Sequence, residues 1–329
     1  MLRRLIENSI KGKIRMTSRV IEGKTKTITP AFNDPTVVLV TTKNSLTGND
    51  GLLQENLPLA LDKTEQTCNV FRLLEEHGIP TAFQKQTSET SFLATRCEML
   101  PLECVARRIP YGSYLKRHPS IQPPTASTIA GLGGSGATGK WKEPMVEYFH
   151  KHSVVFTDAD ATPVLMPEDA VREKYMKDGK WTREVYTDPL IIHNRYNNKW
   201  RLHPAKMNLS GHSGSYLMEM LPLETEKTMR IIEGLVTAAF KVLEQAWNEF
   251  EITLVDLKVE VGRRVTDDEL VVADVIDNDS WRIWPEGDPT KQLDKQAFRE
   301  GEKSTSVLEK YAIVTGYTKQ FSSSSSDPT

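Results

Sequence analysis

The amino-acid sequence predicts a mixed fold of the α/β (α+β) class, because it contains both strand-like and helix-like patterns. Short apolar runs separated by Gly, Pro and Asn at residues 20–42 are typical of antiparallel hairpins. Apolar residues recur every three to four positions from Met229 to Trp247, which predicts a long amphipathic helix. Apolar and charged residues alternate in TLVDLKVEVG, residues 253–262, which predicts a strand with one buried face.

The first third of the chain is predicted to be a leader followed by strands around one helix. MLRRLIENSIKGKIRM is basic, and we assign residues 1–17 to a flexible leader. A mitochondrial presequence is one interpretation, but Glu7 disfavours it because presequences are poor in acidic residues, so we favour a cytoplasmic protein. KTEQTCNVFRLLEEHGIP predicts a helix that ends at Gly78 and Pro80. Further strands are predicted at residues 81–109.

Other segments show little apolar periodicity. Residues 123–140, PPTASTIAGLGGSGATGK, predict a mobile surface loop because they are rich in Gly, Ser, Thr and Ala. They lack the G-K-[ST] ending and the flanking strand and helix of a phosphate-binding loop. Residues 152–216 are polar and weakly periodic, so we interpret residues 123–216 as an elaboration on the framework. Residues 316–329, which end in SSSSSDPT, predict a disordered tail.

The composition excludes several classes of protein. The chain has 329 residues, of which 38% are hydrophobic, and this is enough to bury a large core. The formal net charge of -2 provides no basic excess, so we predict no nucleic-acid partner. No run approaches the roughly 18 apolar residues of a membrane span, so we predict no membrane partner. The three cysteines are too irregularly spaced for a disulfide framework or a zinc site, which favours a reducing compartment.

Charged side chains follow one face of the strand TLVDLKVEVG. Asp256, Lys258 and Glu260 alternate there with aliphatic residues. ELVVADVID, residues 269–277, is predicted to be the second strand of a hairpin. The hairpin therefore has one core face and one polar face. The two tryptophans that follow in DNDSWRIW are predicted to pack in the core.

Two carboxylates are predicted to face each other in this hairpin. A turn centred near Asp267 places Glu260 opposite Asp274, and like charges in that position are destabilising. A hard divalent cation relieves the repulsion, and Mg²⁺ typically uses one or two carboxylates together with substrate phosphates. The alternative that both acids point to water is weakened because Asp274 shares a strand face with apolar residues. A calcium loop of the EF-hand type is discounted because its glycine and terminal glutamate are missing.

Basic residues outside the hairpin predict the binding of phosphate groups. Each of them alone would be an ordinary surface charge. Together with the paired acids they predict two phosphate sites, one for a nucleotide and one for a substrate. These residues are Lys24, Lys26, Arg107, Arg108, Lys116, Arg117, Arg282, Lys295 and Arg299.

Several stretches of the sequence resemble the SAICAR synthetase (phosphoribosylaminoimidazole-succinocarboxamide synthase) family of purine synthesis. In chain order they are EGKTK, CEMLPLECVARRIPYGSYLKRHP, LVDLKVEVG, ADVIDNDSWRIWPEGD and LDKQAFR. The resemblance covers residues 20–120 and 220–315 and is closest to the synthetase half of the animal bifunctional enzymes, with the carboxylase half absent. The family is an ATP-dependent carbon–nitrogen ligase that condenses a carboxylated aminoimidazole ribonucleotide with L-aspartate in the presence of ATP and Mg²⁺.

The resemblance also implies a fold and a division of the chain. The expected fold is bilobal and related to ATP-grasp enzymes and protein kinases. Residues 18–98 would form a nucleotide-binding lobe, and residues 99–315 would form a catalytic lobe with an insertion at residues 123–216. Small-molecule substrates, a location in the cytoplasm and possible assembly into homo-oligomers are implied in the same way.

Site residues follow from the matched motifs. The resemblance assigns the binding of ATP to Lys24, Lys26, Glu98, Leu100 and Lys258. It assigns the metal to Glu260 and Asp274, and it assigns the substrates to Arg107, Ser113, Asp188, Asp279, Arg282, Lys295 and Arg299. Lys258, Lys151 and Asp279 would serve catalysis, in which the substrate carboxylate is activated by phosphoryl transfer and then attacked by the amine of aspartate.

Departures from the family pattern motivate two alternative hypotheses. Residues 50–53 contain Asp and Leu where the family has small and basic residues, and Lys151 is followed by His152 and Ser153 instead of acidic or amide residues. A nucleotide-binding paralogue with impaired catalysis is therefore the second hypothesis. The third is an inositol phosphate kinase, because VDLK resembles the Asp-x-Lys signature of those enzymes, although DNDSWRIW and ARRIPYGS point away from it.

Overall fold

The computed structural model of the chain describes residues 20–48, 53–130, 139–156, 162–194, 196–209, 216–299 and 301–321. Helices and antiparallel sheets are both present, which confirms the mixed α/β (α+β) class. The predicted leader and residues 322–329 lie outside the described residues. Residues 49–52, which include most of the segment that departs from the family pattern, also lie outside them. Among the described residues, no helix is both long enough and apolar enough to cross a membrane.

The helices and strands are numbered here in chain order. The helices are α1 (Ala60–Glu76), α2 (Ser113–Arg117), α3 (Ala126–Ala130), α4 (Glu168–Tyr175), α5 (Glu226–Asn248), α6 (Gln296–Arg299) and α7 (Ser304–Thr318). The first strands are β1 (Ile21–Glu22), β2 (Lys26–Ala31), β3 (Asp34–Thr42), β4 (Ser45–Gly48), β5 (Leu53–Asn56), β6 (Phe83–Ser88), β7 (Ser91–Thr95), β8 (Cys97–Met99), β9 (Leu102–Arg107), β10 (Met145–His150) and β11 (His152–Phe156). They continue as β12 (Pro163–Pro167), β13 (Met176–Lys177), β14 (Lys180–Trp181), β15 (Glu184–Tyr186), β16 (Leu190–Asn194), β17 (Lys199–His203), β18 (Met218–Met220), β19 (Ile252–Arg264), β20 (Leu270–Ala273) and β21 (Trp281–Pro285).

A five-stranded antiparallel sheet forms from the N-terminal residues, in the order β1–β2–β3–β7–β6. The hairpins predicted at residues 20–42 are confirmed, and residues 23–25 form the turn between β1 and β2. The predicted helix corresponds to α1, which ends before Gly78, a glycine with φ of 72°. Phe71 of α1 packs against Phe83 and Phe92 of the sheet, with ring centroids 5.9 and 6.3 Å away. This contact fixes the helix on the sheet.

A larger sheet carries the charged hairpin. Its strand order is β18–β17–β16–β10–β9–β19–β20, and β8 and β21 also pair with β19. Three of these strands, β10, β16 and β17, come from residues 123–216, which corrects the interpretation of that region as an elaboration only. The periodicity of β10 is weak because it includes Glu147, which contacts Arg107 of β9 and Arg117 of α2. The predicted loop at residues 123–140 is also partly helical, since α3 lies within it.

The register of the hairpin differs from the prediction by one residue. β19 pairs Glu260 with Ala273, so the prediction that Glu260 lies opposite Asp274 is wrong. The loop has an even number of residues, 265–268, because Arg264 and Glu269 close it with a backbone hydrogen bond of 2.9 Å. Because the loop has four residues, the centre of the hairpin lies between residues 266 and 267 and not on Asp267. β20 ends at Ala273, and Asp274 follows it with φ of 66°.

The main hydrophobic core lies between the larger sheet and α5, the helix predicted from its periodicity. Trp281 and Trp284 are 3% and 0% exposed, which confirms that they pack in the core. Trp247 contacts Trp281 at 5.3 Å and Phe321 at 4.9 Å between ring centroids. Helix α7 continues to Thr318 and Phe321 is buried, so residues 316–321 belong to the fold and the predicted tail cannot begin at residue 316.

Candidate functional site

A cavity of about 710 Å³ collects most of the predicted site residues. Asp256 and Lys258 of β19 line it, together with residues from the N-terminal sheet and from the loop before β21. The predicted residues that line it are Lys24, Lys26, Arg107, Ser113, Lys116, Lys151, Asp188, Lys258, Asp274, Asp279, Arg282, Lys295 and Arg299. These residues are far apart in sequence, and β9, β10, β19 and the following loop bring them together.

Five predicted residues do not line the cavity: Glu98, Leu100 and Glu260, and the basic residues Arg108 and Arg117, which pair with Glu244 and Glu147. Glu98 is exposed on β8, and Leu100 is buried beside it, with its N–H donating to Val261 at 3.0 Å. A side chain at Gly262 would come within 2.7 Å of the Cβ of Cys97, so this glycine allows β8 to lie close to β19. Glu260 is only 5% exposed and lies beneath the lysines of the cavity. The binding of ATP by Glu98 and Leu100 therefore stays a prediction.

Lysines hold both carboxylates that were predicted to bind a metal. Glu260 accepts hydrogen bonds from Lys151 at 2.6 Å and from Lys258 at 3.2 Å. Asp274 forms an ion pair with Lys26. The described residues contain no group of three or more His, Cys, Asp or Glu side chains placed to hold a metal ion. The arrangement is a network of alternating charges, which we call the lysine–carboxylate network.

Two members of this network, Glu260 and Lys258, keep their charge around neutral pH. Burial alone would raise the pKa of Glu260, but Lys258, Lys151 and Lys26 outweigh that effect and lower the pKa to about 2. Burial likewise opposes the charge of Lys258, but Glu103 and Glu260 raise its pKa well above the ordinary value. Both groups therefore stay ionised over the physiological range, and the cavity keeps a permanent positive charge beside Glu260.

Asp256 organises a second group of charges at the other end of the cavity. It accepts a hydrogen bond of 2.6 Å from Arg107 and another from Arg282. Arg107 also donates to Glu147 at 2.7 Å and to Ser113 at 3.1 Å. Both arginines were predicted to bind substrate, but their common partner was not predicted. The alternation within β19 predicts that Asp256 lies on the polar face. It cannot predict the partners of Asp256, because Arg107 lies on β9 and Arg282 lies on β21.

Gly112 makes room for Arg282. Its φ of 61° is in the left-handed region, and a Cβ there would lie 2.7 Å from Nη2 of Arg282. The guanidinium group also lies over the ring of Tyr111, with 5.5 Å to the centroid. Any larger residue at position 112 would therefore displace the guanidinium group from Asp256.

A third group surrounds Asp279. This carboxylate accepts hydrogen bonds from Lys63 at 2.8 Å and from Lys295 at 3.0 Å, and a further one from Tyr311. Lys63 and Tyr311 were not predicted, because a lysine in an amphipathic helix and a tyrosine in a C-terminal helix are usually surface and core residues, respectively. Asp277 shapes the turn before β21 by accepting the N–H of Asp279 at 2.8 Å.

Asp294 lies next to this site and should make stability depend on pH. Burial raises its pKa to about 6 against the opposing effect of Arg282. The carboxyl group of Asp294 holds its proton more tightly in the folded state than in the unfolded state. This stabilises the folded state fully below the unfolded pKa of 3.8, and the stabilisation is lost as the pH rises to about 6. We expect the free energy of unfolding to lose about 3 kcal/mol from this group between pH 4 and 7.

Urea unfolding at a series of pH values measures this loss. Asp294→Asn should show a shallower decline between pH 4 and 7 than the wild type, whatever its absolute stability. Asp169→Asn, at an exposed acid of α4, is the matched control and should keep the wild-type dependence. Equal slopes for Asp294→Asn and the wild type would contradict the assignment.

Comparison with known proteins identifies the family. Residues 19–186 and 213–314 match the family described as SAICAR synthetase. This chain belongs to the SAICAR synthetase family. The segment between the two matched parts contains β16 and β17, so the family pattern is interrupted where these strands extend the larger sheet.

Individual members of the SAICAR synthetase family are similar along most of the chain. The phosphoribosylaminoimidazole-succinocarboxamide synthase of Chloroflexus aurantiacus is 31% identical over 310 residues, which cover 92% of this chain and 97% of the relative. A bifunctional phosphoribosylaminoimidazole carboxylase/phosphoribosylaminoimidazole succinocarboxamide synthetase of Mus musculus is 33% identical over 289 residues, 87% of this chain and 53% of the relative. The chain spans about half the length of the animal relatives that it matches.

A solved structure supports the same fold. A SAICAR synthetase (Type-2) in complex with ADP aligns with a TM-score of 0.62 at 23% sequence identity, covering 94% of this chain and 100% of that chain. The shared fold is that of the SAICAR synthetases.

Proposed function

We propose that the chain is an ATP-dependent carbon–nitrogen ligase, which condenses a carboxylated aminoimidazole ribonucleotide with L-aspartate to give the succinocarboxamide, ADP and phosphate in purine synthesis. Membership of the SAICAR synthetase family supports this activity. The observation that carries the proposal is the cavity itself, in which the lysine–carboxylate network and the Asp256 arginines lie along one strand. A reaction between two anionic substrates needs two cationic regions in one cavity.

The lysine–carboxylate network is the proposed nucleotide end. Lys24, Lys26 and Lys258 line the cavity with ammonium groups that suit the phosphates of ATP. The related SAICAR synthetase solved with ADP supports nucleotide binding by this fold. Lys24 forms an ion pair of 3.0 Å with Glu168 of α4, and Lys26 forms one with Asp274, so incoming phosphates would replace these carboxylates as partners.

The arginines are the proposed ribonucleotide end. Arg107, Ser113 and Arg282 form one corner of it, and Lys295 and Arg299 form another. Guanidinium groups suit phosphate because their fixed fork donates two parallel hydrogen bonds. The carboxylate of the ribonucleotide would then point along β19 toward Lys258.

In the proposed reaction the substrate carboxylate attacks the terminal phosphorus of ATP, and the bond to ADP breaks. The amine of aspartate then attacks the acyl phosphate, releasing phosphate. The cationic residues act by position and charge, since they bring two anions together and neutralise the charge that moves to ADP. Lys151 and Asp188 also line the cavity, and we place the aspartate beside them.

Glu260 and Asp274 provide hard oxygen ligands of the type that Mg²⁺ uses. When bound, the ion would neutralise phosphate charge and orient the phosphates. In the structure these two carboxylates already pair with the ammonium groups of Lys26, Lys151 and Lys258, and Glu103 also pairs with Lys258, so each carboxylate has a cationic partner without a metal. The donors therefore suit a cation that arrives with nucleotide phosphates, and do not suit a cation alone.

We expect Mg²⁺ to bind only together with nucleotide. Titration calorimetry with MgCl₂ alone should show no saturable heat in the low millimolar range, whereas ADP with Mg²⁺ should bind at least tenfold more tightly than ADP with EDTA. Asp274→Asn should abolish that tenfold difference and leave the affinity for ADP in EDTA within about threefold. Saturable binding of Mg²⁺ to the free protein would contradict the proposed charge balance.

The activity is tested by incubating the purified chain with ATP, Mg²⁺, aspartate and the carboxylated ribonucleotide. We expect ADP and the succinocarboxamide in equal amounts, and no succinocarboxamide without aspartate. Nucleotide binding without turnover would favour the impaired paralogue, and phosphorylation of an inositol phosphate would favour the kinase.

The cytoplasmic location and the homo-oligomer stay predictions, as does the absence of a nucleic-acid partner.

A further inference from the structure

Asp279 is held by side chains from three separate parts of the chain. Its Oδ2 accepts hydrogen bonds from Lys63 of α1 at 2.8 Å and from Lys295 at 3.0 Å. Its Oδ1 accepts one from the hydroxyl group of Tyr311 on α7. Both oxygens of the carboxylate are therefore engaged by protein donors.

Two of the three donors lie away from the cavity. Lys63 and Tyr311 are each 1% exposed, and neither lines the cavity. Asp279 and Lys295 do line it. Lys63 also donates to the carbonyl of Ser45 at 3.2 Å, but Asp279 is the residue of the cavity wall that both Lys63 and Tyr311 contact.

The helices that carry these donors are joined to each other and to the loop of Asp279. Gln66 of α1 donates to the carbonyl of Tyr311 at 3.1 Å and to the hydroxyl of Thr315 at 3.0 Å. The side-chain carbonyl of Gln66 accepts the N–H of Asn278 at 2.8 Å. The backbone next to Asp279 is thus fixed by the same two helices that supply the side-chain donors.

Two ammonium groups meet at Asp279. Lys63 and Lys295 share a single oxygen of this carboxylate, and the carboxyl group of Asp277 is close enough to interact with both lysines. Burial opposes the ionised form of Asp279, but the two lysines outweigh it and hold its pKa well below the ordinary range. Burial, with the neighbouring carboxylates, raises the pKa of Tyr311, which keeps the hydroxyl group as a donor.

A fully engaged, ionised Asp279 is poorly suited to act as a base or as a metal ligand. Its effect is to hold the ammonium group of Lys295 at one place in the cavity wall. Lys295 is only 7% exposed, and its ammonium group lies 3.0 Å from the carboxylate of Asp279.

We propose that Lys63 and Tyr311 are positioning residues of the ribonucleotide site: they orient Asp279, which in turn places Lys295 against the substrate phosphate. The proposal rests on the proposed function for the identity of the substrate. It gives α1 and α7, which lie outside the cavity, a specific effect on one of the three substrates.

The test separates binding of the ribonucleotide from the other steps. Tyr311→Phe removes one hydroxyl group and keeps the ring in its apolar surroundings. We expect the KM for the ribonucleotide to rise about tenfold, the change that follows the loss of one charge-assisted hydrogen bond, with kcat and the KM for ATP within about twofold of the wild type. Lys63→Met should raise the same KM by at least as much.

Tyr317→Phe is the matched control. Tyr317 lies on the same helix, and its ring packs against Phe250 at 5.0 Å between centroids, away from Asp279. We expect wild-type kinetics for this variant. All assays are run well below the thermal midpoint of each variant, so that a loss of folded protein does not enter the comparison.

The outcomes distinguish the inference from the proposed function. If the wild type turns over and Tyr311→Phe keeps the wild-type KM for the ribonucleotide, the inference is wrong. An equal change in kcat and in all three KM values would indicate a structural role only and would also overturn it. A wild-type chain that neither turns over nor binds the ribonucleotide by calorimetry would contradict the proposed function and the inference together.

Discussion

Replacing Asp256 with asparagine is expected to lower kcat/KM by about 10²–10³. Arg107 and Arg282 both donate to this carboxylate, and both guanidinium groups are largely buried. Asparagine removes the negative charge and turns a donor toward one of them. Since breaking a buried ion pair costs about 3–5 kcal/mol, we also expect the free energy of unfolding to fall by about 3 kcal/mol.

Steady-state kinetics and urea unfolding measure the two effects. The KM for the ribonucleotide should rise more than the KM for ATP, because the arginines form the proposed ribonucleotide end. Asp267→Asn provides the control, since this acid is half exposed in the loop of the same hairpin and pairs with Arg264. It should change stability by less than about 0.5 kcal/mol. Wild-type kcat/KM in Asp256→Asn would show that the two arginines do not need a common partner.

Replacing Glu260 with glutamine is expected to have a comparable effect at the other end of the cavity. Its carboxylate accepts from Lys151 and Lys258, and its pKa is about 2. A depressed pKa contributes stability above the unfolded pKa of about 4.5, and that contribution is lost as the pH falls toward 2. At pH 7 it amounts to about 3 kcal/mol, and we expect kcat to fall by at least about 10² as the lysines lose their common partner.

The pH dependence identifies the cause of this effect. The difference in the free energy of unfolding between the wild type and Glu260→Gln should be largest above pH 5 and should shrink as the pH falls from about 5 to 2. Glu269→Gln, at a half-exposed acid across the hairpin loop, should leave stability nearly unchanged at every pH. A difference that stayed constant with pH would mean that packing, and not charge, explains the loss.

The elements that could be predicted from the sequence are those with local periodicity. Helix α5 follows from apolar residues every three to four positions, and β19 follows from strict alternation. The register of the hairpin was missed by one residue, because the number of residues in a loop is not visible in the alternation of the strands that flank it. β10, β16 and β17 were missed because each is only five or six residues long and mixes polar with apolar residues, as in MVEYFH, LIIHN and KWRLH.

The candidate site was predictable in its charges but not in its pairings. Most of the predicted lysines and arginines line the cavity, but Arg108 and Arg117 do not, since they pair with Glu244 and Glu147. The sequence did not predict that Asp256 joins Arg107 to Arg282, or that Lys63 reaches Asp279, because these pairs depend on contacts between distant elements. A buried lysine such as Lys63 is also contrary to the ordinary preference of that residue for the surface.

The positions of Asp256 and Glu260 on β19 fix the distance between the two groups of charges in the cavity. Asp256 and Glu260 lie four residues apart on one extended strand, so about 13 Å separates the group that holds the arginines from the group that holds the lysines. A sheet strand paired on both sides cannot shorten or stretch this spacing appreciably. A single inhibitor that joins a ribose phosphate to a polyphosphate should therefore gain affinity only when a rigid linker matches that span, and linkers much shorter or longer should bind no better than the separate halves.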